Sequence, residues 1–222
     1  MGEDVRRWEI YGRADSSAVA KVMWMAEELA LPVVRHDWGG RYGGNDDPSY
    51  RKIQPAGRIP ALRLPNGEAL WESNTIIRFL AATHPHTGFL PQAALPRARV
   101  ESWMDWANAF SMAVGKLRTT YKAPGATVAQ VLEASTIVGP VLRILETQLS
   151  DRPYVAGDAL TAADFALGVW GHRLFRCPDP VPLKSYPALR SWLSRLQGRP
   201  AFQTHVVAQV SAGPQTLGSD PS

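Results

Sequence analysis

Gln54-Pro55-Ala56-Gly57-Arg58-Ile59-Pro60-Ala61-Leu62-Arg63-Leu64 and, one turn later, Trp71-Glu72-Ser73-Asn74-Thr75-Ile76-Ile77 are the stretch whose reading decides the fold. Proline has no N–H for a ladder, so Pro60 fits the first residue of a strand. An X-Pro bond in a tight turn is also a good candidate for the cis form. A cis Ile59-Pro60 bond would turn the N–H and C=O of Ile59 outward, free to pair with an extended peptide. Pro65-Asn66-Gly67 closes a hairpin, Asn-Gly being among the strongest short turn signals. The return strand from Glu68 to Trp71 runs into a helix expected to begin with Glu72 and Ser73. Unpaired N–H groups at a helix start seat an anion, and a carboxylate in the same place holds an ammonium. A backbone edge, an anion seat and a cation seat together make a recognition site for a small zwitterionic peptide.

These residues resemble the glutathione transferase family, whose members read Asn-Pro-x-Gly-x-Val-Pro-x-Leu and then Glu-Ser-x-x-Ile before a helix. Here Gln54 replaces the Asn and Ile59 the Val. Glu-Ser after the hairpin carries the specificity, whereas Gly-x-Ile-Pro alone is a weak signal. The resemblance implies an α/β thioredoxin-like N-terminal domain over residues 1–87, a linker over 88–94, and an all-α C-terminal helical domain over 95–212. It also implies glutathione as co-substrate, with Gln54, Arg58, Ile59, Pro60, Glu72 and Ser73 as its binding residues.

The element order agrees. Trp8 to Tyr11 mixes aromatic and β-branched residues as a strand does. Ser16 or Ser17 caps a helix whose Val19, Val22, Met23, Ala26 and Leu29 keep one apolar face. A second strand follows from Val33, then a flexible loop from Trp38 to Gly44 and a short irregular helix before Gln54. The glycines of that loop lack dinucleotide-binding spacing. From Pro96 onward the chain reads as helical. A long helix to Tyr121 places Trp103, Trp106 and Phe110 on one face. The next, Thr127 to Leu149, is expected to kink at Gly139-Pro140 or to have a turn near it. Thr161-x-x-Asp164 is a capping box with Leu160 and Phe165 as its hydrophobic staple. Asp164 is therefore a folding element and not a catalytic one. The polar tail, residues 213–222, is expected to be disordered.

Composition bounds the function. The 222 residues are 45% hydrophobic and carry a net charge of +4, with no Lys/Arg run, so nucleic acid is not implied. One cysteine, Cys177, allows no internal disulfide and fits a reducing compartment. No apolar stretch reaches membrane-spanning length and no apolar signal core follows Met1, so the expected location is cytoplasmic. His84 and His86 have no further ligand cluster, so no metal is expected.

The chemistry follows from the thiol. Glutathione's thiol titrates near a free cysteine, about 8.5, so an enzyme that favours its thiolate makes the nucleophile. Ile10-Tyr11-Gly12-Arg13-Ala14-Asp15-Ser16-Ser17-Ala18-Val19-Ala20-Lys21-Val22-Met23-Trp24 resembles serine-type members reading Tyr-Gly-Arg-x-x-Ser-x-Asn-Val-x-Lys-Val-x-Trp. That register implies Ser16 as the hydroxyl on sulfur, with Tyr11 and Ser17 as alternatives. Ala18 stands where those members carry Asn. The segment has no cysteine, which disfavours a mixed-disulfide mechanism. The resemblance further implies conjugation to hydrophobic electrophiles in a pocket of Trp38, Tyr42, Trp103, Trp106 and Phe110, a detoxification role, and a homodimer. A non-catalytic glutathione-binding or assembly module, and a glutathione-dependent peroxidase or isomerase, are the alternative functions.

Overall fold

The computed structural model describes residues 7–177 and 185–209; the expected disordered tail lies outside them. Strands β1 (Trp8–Tyr11), β2 (Val33–His36), β3 (Ala61–Arg63) and β4 (Ala69–Trp71) form one sheet in the order β2-β1-β3-β4. β1 is parallel to β2 and antiparallel to β3, and β3 is antiparallel to β4. The parallel pair needs a crossover, which α1 (Ser17–Glu28) supplies. Helices α2 (Pro48–Ile53) and α3 (Ser73–Thr83) complete the thioredoxin-like part. Ile59-Pro60 is cis, and Leu64 and Glu68 pair around the Asn-Gly turn.

Beyond it lie α4 (Ala94–Lys122), α5 (Val128–Thr136), α6 (Val138–Leu149), α7 (Ala162–Leu174), α8 (Pro187–Gln197) and α9 (Pro200–Phe202), the last running into one π-helical turn. α4 starts two residues before Pro96. The first N–H groups of a helix have no intrahelical partner, so a proline there removes nothing. The expected kink is a full break at Ile137, with α5 and α6 bent by 46°. Pro140 has no N–H to offer the Thr136 carbonyl, and the helix restarts with Pro140 in its first turn. Among the described residues, no single helix is long and apolar enough to cross a membrane, and only the bent α5–α6 pair passes by length and composition together.

One core joins the two parts. Trp24 of α1 is fully buried against Phe165 of α7, ring centroids 4.1 Å apart, and meets Phe202 of α9 edge-on at 4.8 Å. Each fully buried Phe contributes about 1.5–3 kcal/mol, so this cluster sets how α1 sits on the helical domain. Arg199 reinforces it with two bonds to Glu28, 2.7 and 2.6 Å. Burial raises the Glu28 carboxyl, but Arg199 and the Trp24 indole outweigh it and hold the group below its ordinary value.

Candidate active site

The site begins where α1 begins. Ser16 is the N-cap: its Oγ accepts the Val19 N–H at 3.5 Å, and its carbonyl takes Ala20 N–H at 2.8 Å. This hydroxyl is used as an acceptor, so its own proton remains available to donate. Gly12 lets the neighbouring loops close around it, because a Cβ there would lie 2.4 Å from Val19 and 3.3 Å from Ile59. The cis-proline loop is thereby pressed against the start of α1. Among the described residues no hydrogen bond engages the Ile59 backbone. Asn45 holds the Gly57 carbonyl and the Tyr50 hydroxyl holds the Arg58 carbonyl, which fixes the loop from behind.

Across this edge, α3 opens at Ser73, one residue later than the sequence suggested, with Glu72 as an N-cap that makes no side-chain cap bond. The amides of the first turn are left for an anion. Glu72 is exposed and holds φ 65°, one of two described non-glycine residues in the left-handed region. Such a conformation in an exposed residue belongs with function more often than with packing. Beneath lies Lys21, 6% exposed, donating to Asn74 Oδ1, while Asn74 Nδ2 donates to the Met104 carbonyl at 2.7 Å. Burial lowers the Lys21 pKa to about 8, against the Glu72 carboxylate, which raises it. Lys21 stands at the lysine of the serine-type pattern, but only the tertiary contact to Asn74 of α3 shows what it holds.

Several expected site residues fall elsewhere. Gln54 is 1% exposed and its Oε1 accepts the Ala56 N–H, so it shapes the loop and presents no side chain to a ligand. Phe110 is fully buried and belongs to the core, since α4 turns that face onto α7. Trp106 stacks on it at 6.0 Å and meets Trp103 edge-on at 5.3 Å, both half-buried. Trp38 packs inward on Tyr50 and Tyr11, and it fills the space a Cβ on Gly44 would need. Within the loop it anchors, Gly40–Tyr42 form a single 3-10 turn. Tyr42 is exposed under the Arg41 guanidinium, 4.7 Å from its ring. Arg58 is exposed. The Tyr11 ring stacks on His36 at 4.9 Å, and its hydroxyl is 3.4 Å from Glu9 Oε2. Cys177 is half-buried and its thiol is pushed up by burial, away from thiolate character. Among the described residues no three His, Cys, Asp or Glu gather as metal ligands.

A four-stranded mixed sheet with a cis-proline edge, packed through Trp24 and Phe165 on a helical bundle whose α7 starts at a buried capping box, defines a glutathione S-transferase fold. Family models agree: the glutathione S-transferase N-terminal domain matches residues 15–83 and the C-terminal domain residues 129–195. Glutathione S-transferase GstB of Escherichia coli K12 is 30% identical over 210 residues, covering 91% of this chain and 99% of that protein. The theta class glutathione S-transferase of the citrus canker pathogen Xanthomonas axonopodis pv. citri, crystallised with glutathione bound, superposes with a TM-score of 0.82. It is 35% identical and covers 90% of this chain and 97% of its own. Disulfide-bond oxidoreductase YfcG of Escherichia coli K12 is 28% identical over 183 residues, 78% of this chain and 82% of that protein. The chain belongs to the glutathione S-transferase family.

Proposed function

We propose that this chain is a glutathione transferase in which Ser16 donates its hydroxyl proton to the glutathione sulfur and stabilises the thiolate. The thiolate attacks an electrophilic carbon, the leaving group departs with the bonding pair, and the thiol proton passes to solvent. The observation that carries this reading is the position of Ser16: a helix N-cap whose hydroxyl donates to no partner among the described residues, at the start of α1, against which the Ile59 loop closes across Gly12. The Tyr11 hydroxyl, facing Glu9, is the weaker candidate. In this reading Ile59 and Pro60 pair with the cysteinyl unit, Arg58 reaches a carboxylate, and the Ser73 end of α3 with Glu72 takes the γ-glutamyl end. Trp103, Trp106 and Tyr42 form the apolar approach for the electrophile.

Glu72→Gln, which removes the charge and keeps the size, is expected to weaken glutathione binding about ten-fold, the scale of one hydrogen bond between charged groups. Far-UV circular dichroism should not change. Unaltered affinity by calorimetry would remove Glu72 from the site. Thiol–disulfide exchange is a second reading, supported by the likeness to YfcG. Assays of electrophiles against disulfides and peroxides, each with glutathione, separate the two. For assembly we propose a homodimer, supported by the family alone. Light scattering at micromolar concentration should give twice 24.4 kDa, and a monomer mass rejects it.

A further inference from the structure

We propose that the electrophile this site is built for carries a carboxylate, seated by Arg173 and Arg118 beside the Ser16 hydroxyl; the proposal rests on the conjugation reading above. Three guanidinium groups, Arg13, Arg41 and Arg173, converge on the segment that leads into Ser16, with Arg118 behind Arg173, and Asp15 is the carboxylate among them. Arg13 and Arg41 both take Asp15, each at 3.1 Å. The nearby Asp37 is engaged by Arg35 at 2.6 Å.

Arg173 and Arg118 are bonded to backbone oxygens. Arg173 Nη2 donates to the Asp15 carbonyl at 2.6 Å, the peptide group that joins Asp15 to Ser16. Arg118 Nη1 donates to the Arg173 carbonyl at 3.1 Å. The Arg173 Nε is buried and has no hydrogen-bond partner among the described residues. Burial first, and then the Arg118 charge, lower the Arg173 pKa to about 10, with Asp15 opposing and Arg13 adding to the fall; Asp15 is thus the one carboxylate set against the surplus of positive charge on these arginines.

His172, next to Arg173 on α7, adds no charge of its own. Burial and the charges of Arg176, Arg173 and Arg118 hold it neutral, its pKa lowered to about 4. Guanidinium forks match carboxylates in geometry, and for a partly buried guanidinium such as Arg173 that match is worth more than at an open surface. A carboxylate one or two bonds from the carbon under attack would neutralise the surplus and hold that carbon near the sulfur.

Two reagents of nearly the same size test this, iodoacetate and iodoacetamide. In both, the glutathione thiolate forms a C–S bond at the methylene carbon while the C–I bond breaks, both electrons leaving with iodide. Rates relative to the uncatalysed reactions should favour iodoacetate, and in Arg173→Met or Arg118→Met that preference should fall about ten-fold, as for the loss of a hydrogen bond to a charged group.

The two products, S-carboxymethylglutathione and S-(carbamoylmethyl)glutathione, give a reading independent of turnover. The same glutathione moiety is present in both, so their difference in affinity by calorimetry reports the added carboxylate alone. In the unsubstituted protein the carboxymethyl product should bind about ten-fold more tightly, and salt should narrow the gap. Equal affinities in the unsubstituted protein overturn the proposal, as does a gap that both variants keep. Equal weakening of both products in the variants would instead assign the arginines to glutathione's own carboxylates and also overturn it. Absence of turnover with both reagents alongside a preserved affinity gap would overturn the conjugation reading and leave the carboxylate seat standing.

Discussion

Ser16→Ala is expected to raise the pKa of the enzyme-bound glutathione thiol by about one to two units. A hydrogen bond to a charged group is worth about 1.5–3 kcal/mol, and one pKa unit corresponds to about 1.36 kcal/mol. The thiolate absorbance of the complex should then titrate at correspondingly higher pH, and conjugation at neutral pH should fall about ten-fold or more. The sign follows from which form is held: the hydroxyl favours the thiolate, so its loss favours the thiol and moves the titration upward. The same oxygen caps α1, and losing a cap costs about 0.5–2 kcal/mol. The Val19 contact is long at 3.5 Å, so the stability loss should sit at the low end of that range. Ser16→Thr keeps a hydroxyl and should restore most of the titration. Tyr11→Phe should leave it nearly unmoved, because that hydroxyl faces Glu9. A titration displaced by Tyr11→Phe and untouched by Ser16→Ala would assign the sulfur to the tyrosine. If neither moves it, the backbone N–H groups at the start of α1 hold the thiolate and Ser16 is only a cap.

The parts of this molecule that were legible in the sequence are those specified by neighbours along the chain. Asn66-Gly67 dictates a turn, Pro60 a strand start, and Thr161-x-x-Asp164 a helix start, each through local backbone chemistry. The turn and the helix start stand where they were expected, and β3 begins at Ala61, one residue after the cis Pro60. Residues whose role depends on what packs over them were not legible in the same way. Gln54 and Phe110 were marked by a motif position and an aromatic spacing, and burial placed both in the scaffold. Whether an aromatic helical face meets a ligand or a neighbouring helix depends on α7, which packs on α4 from some fifty residues away, and no local pattern carries that. Arg173 shows the converse. It lies 158 positions from Asp15 and touches its carbonyl, a pairing that only the docking of α1 against α7 creates. The break at Ile137 lies between these cases: Pro140 announced it, but where the helix parts is set by the missing bond one turn earlier.

Asp164→Ala is expected to destabilise the protein by more than about 4 kcal/mol. The carboxylate is fully buried and accepts four hydrogen bonds: from the Val155 and Thr161 N–H groups at 2.9 Å, the Thr161 hydroxyl at 3.1 Å, and the Trp192 indole at 2.9 Å. Burial pushes its pKa up, while these donors pull the other way. Every partner is a donor, and alanine would leave each without an acceptor in a place water does not reach. An unsatisfied buried group costs about 1–3 kcal/mol, so even partial relaxation leaves a loss in the exceptional range for a single substitution. The four bonds also tie three segments together, namely the Val155 loop, the start of α7, and α8 through Trp192. The loss should therefore be cooperative across the helical domain. Asp164→Asn keeps one acceptor oxygen and the volume but turns an NH2 toward the donors, so it should cost roughly half as much. Urea unfolding followed by tryptophan fluorescence and circular dichroism measures both. A midpoint for Asp164→Ala equivalent to less than about 1 kcal/mol below the unsubstituted protein would show that the network is dispensable. Well below the unfolding midpoint, glutathione affinity should be unchanged in both variants, since Asp164 bonds only to residues of the helical domain and to none of those around Ser16, Ile59 and Glu72.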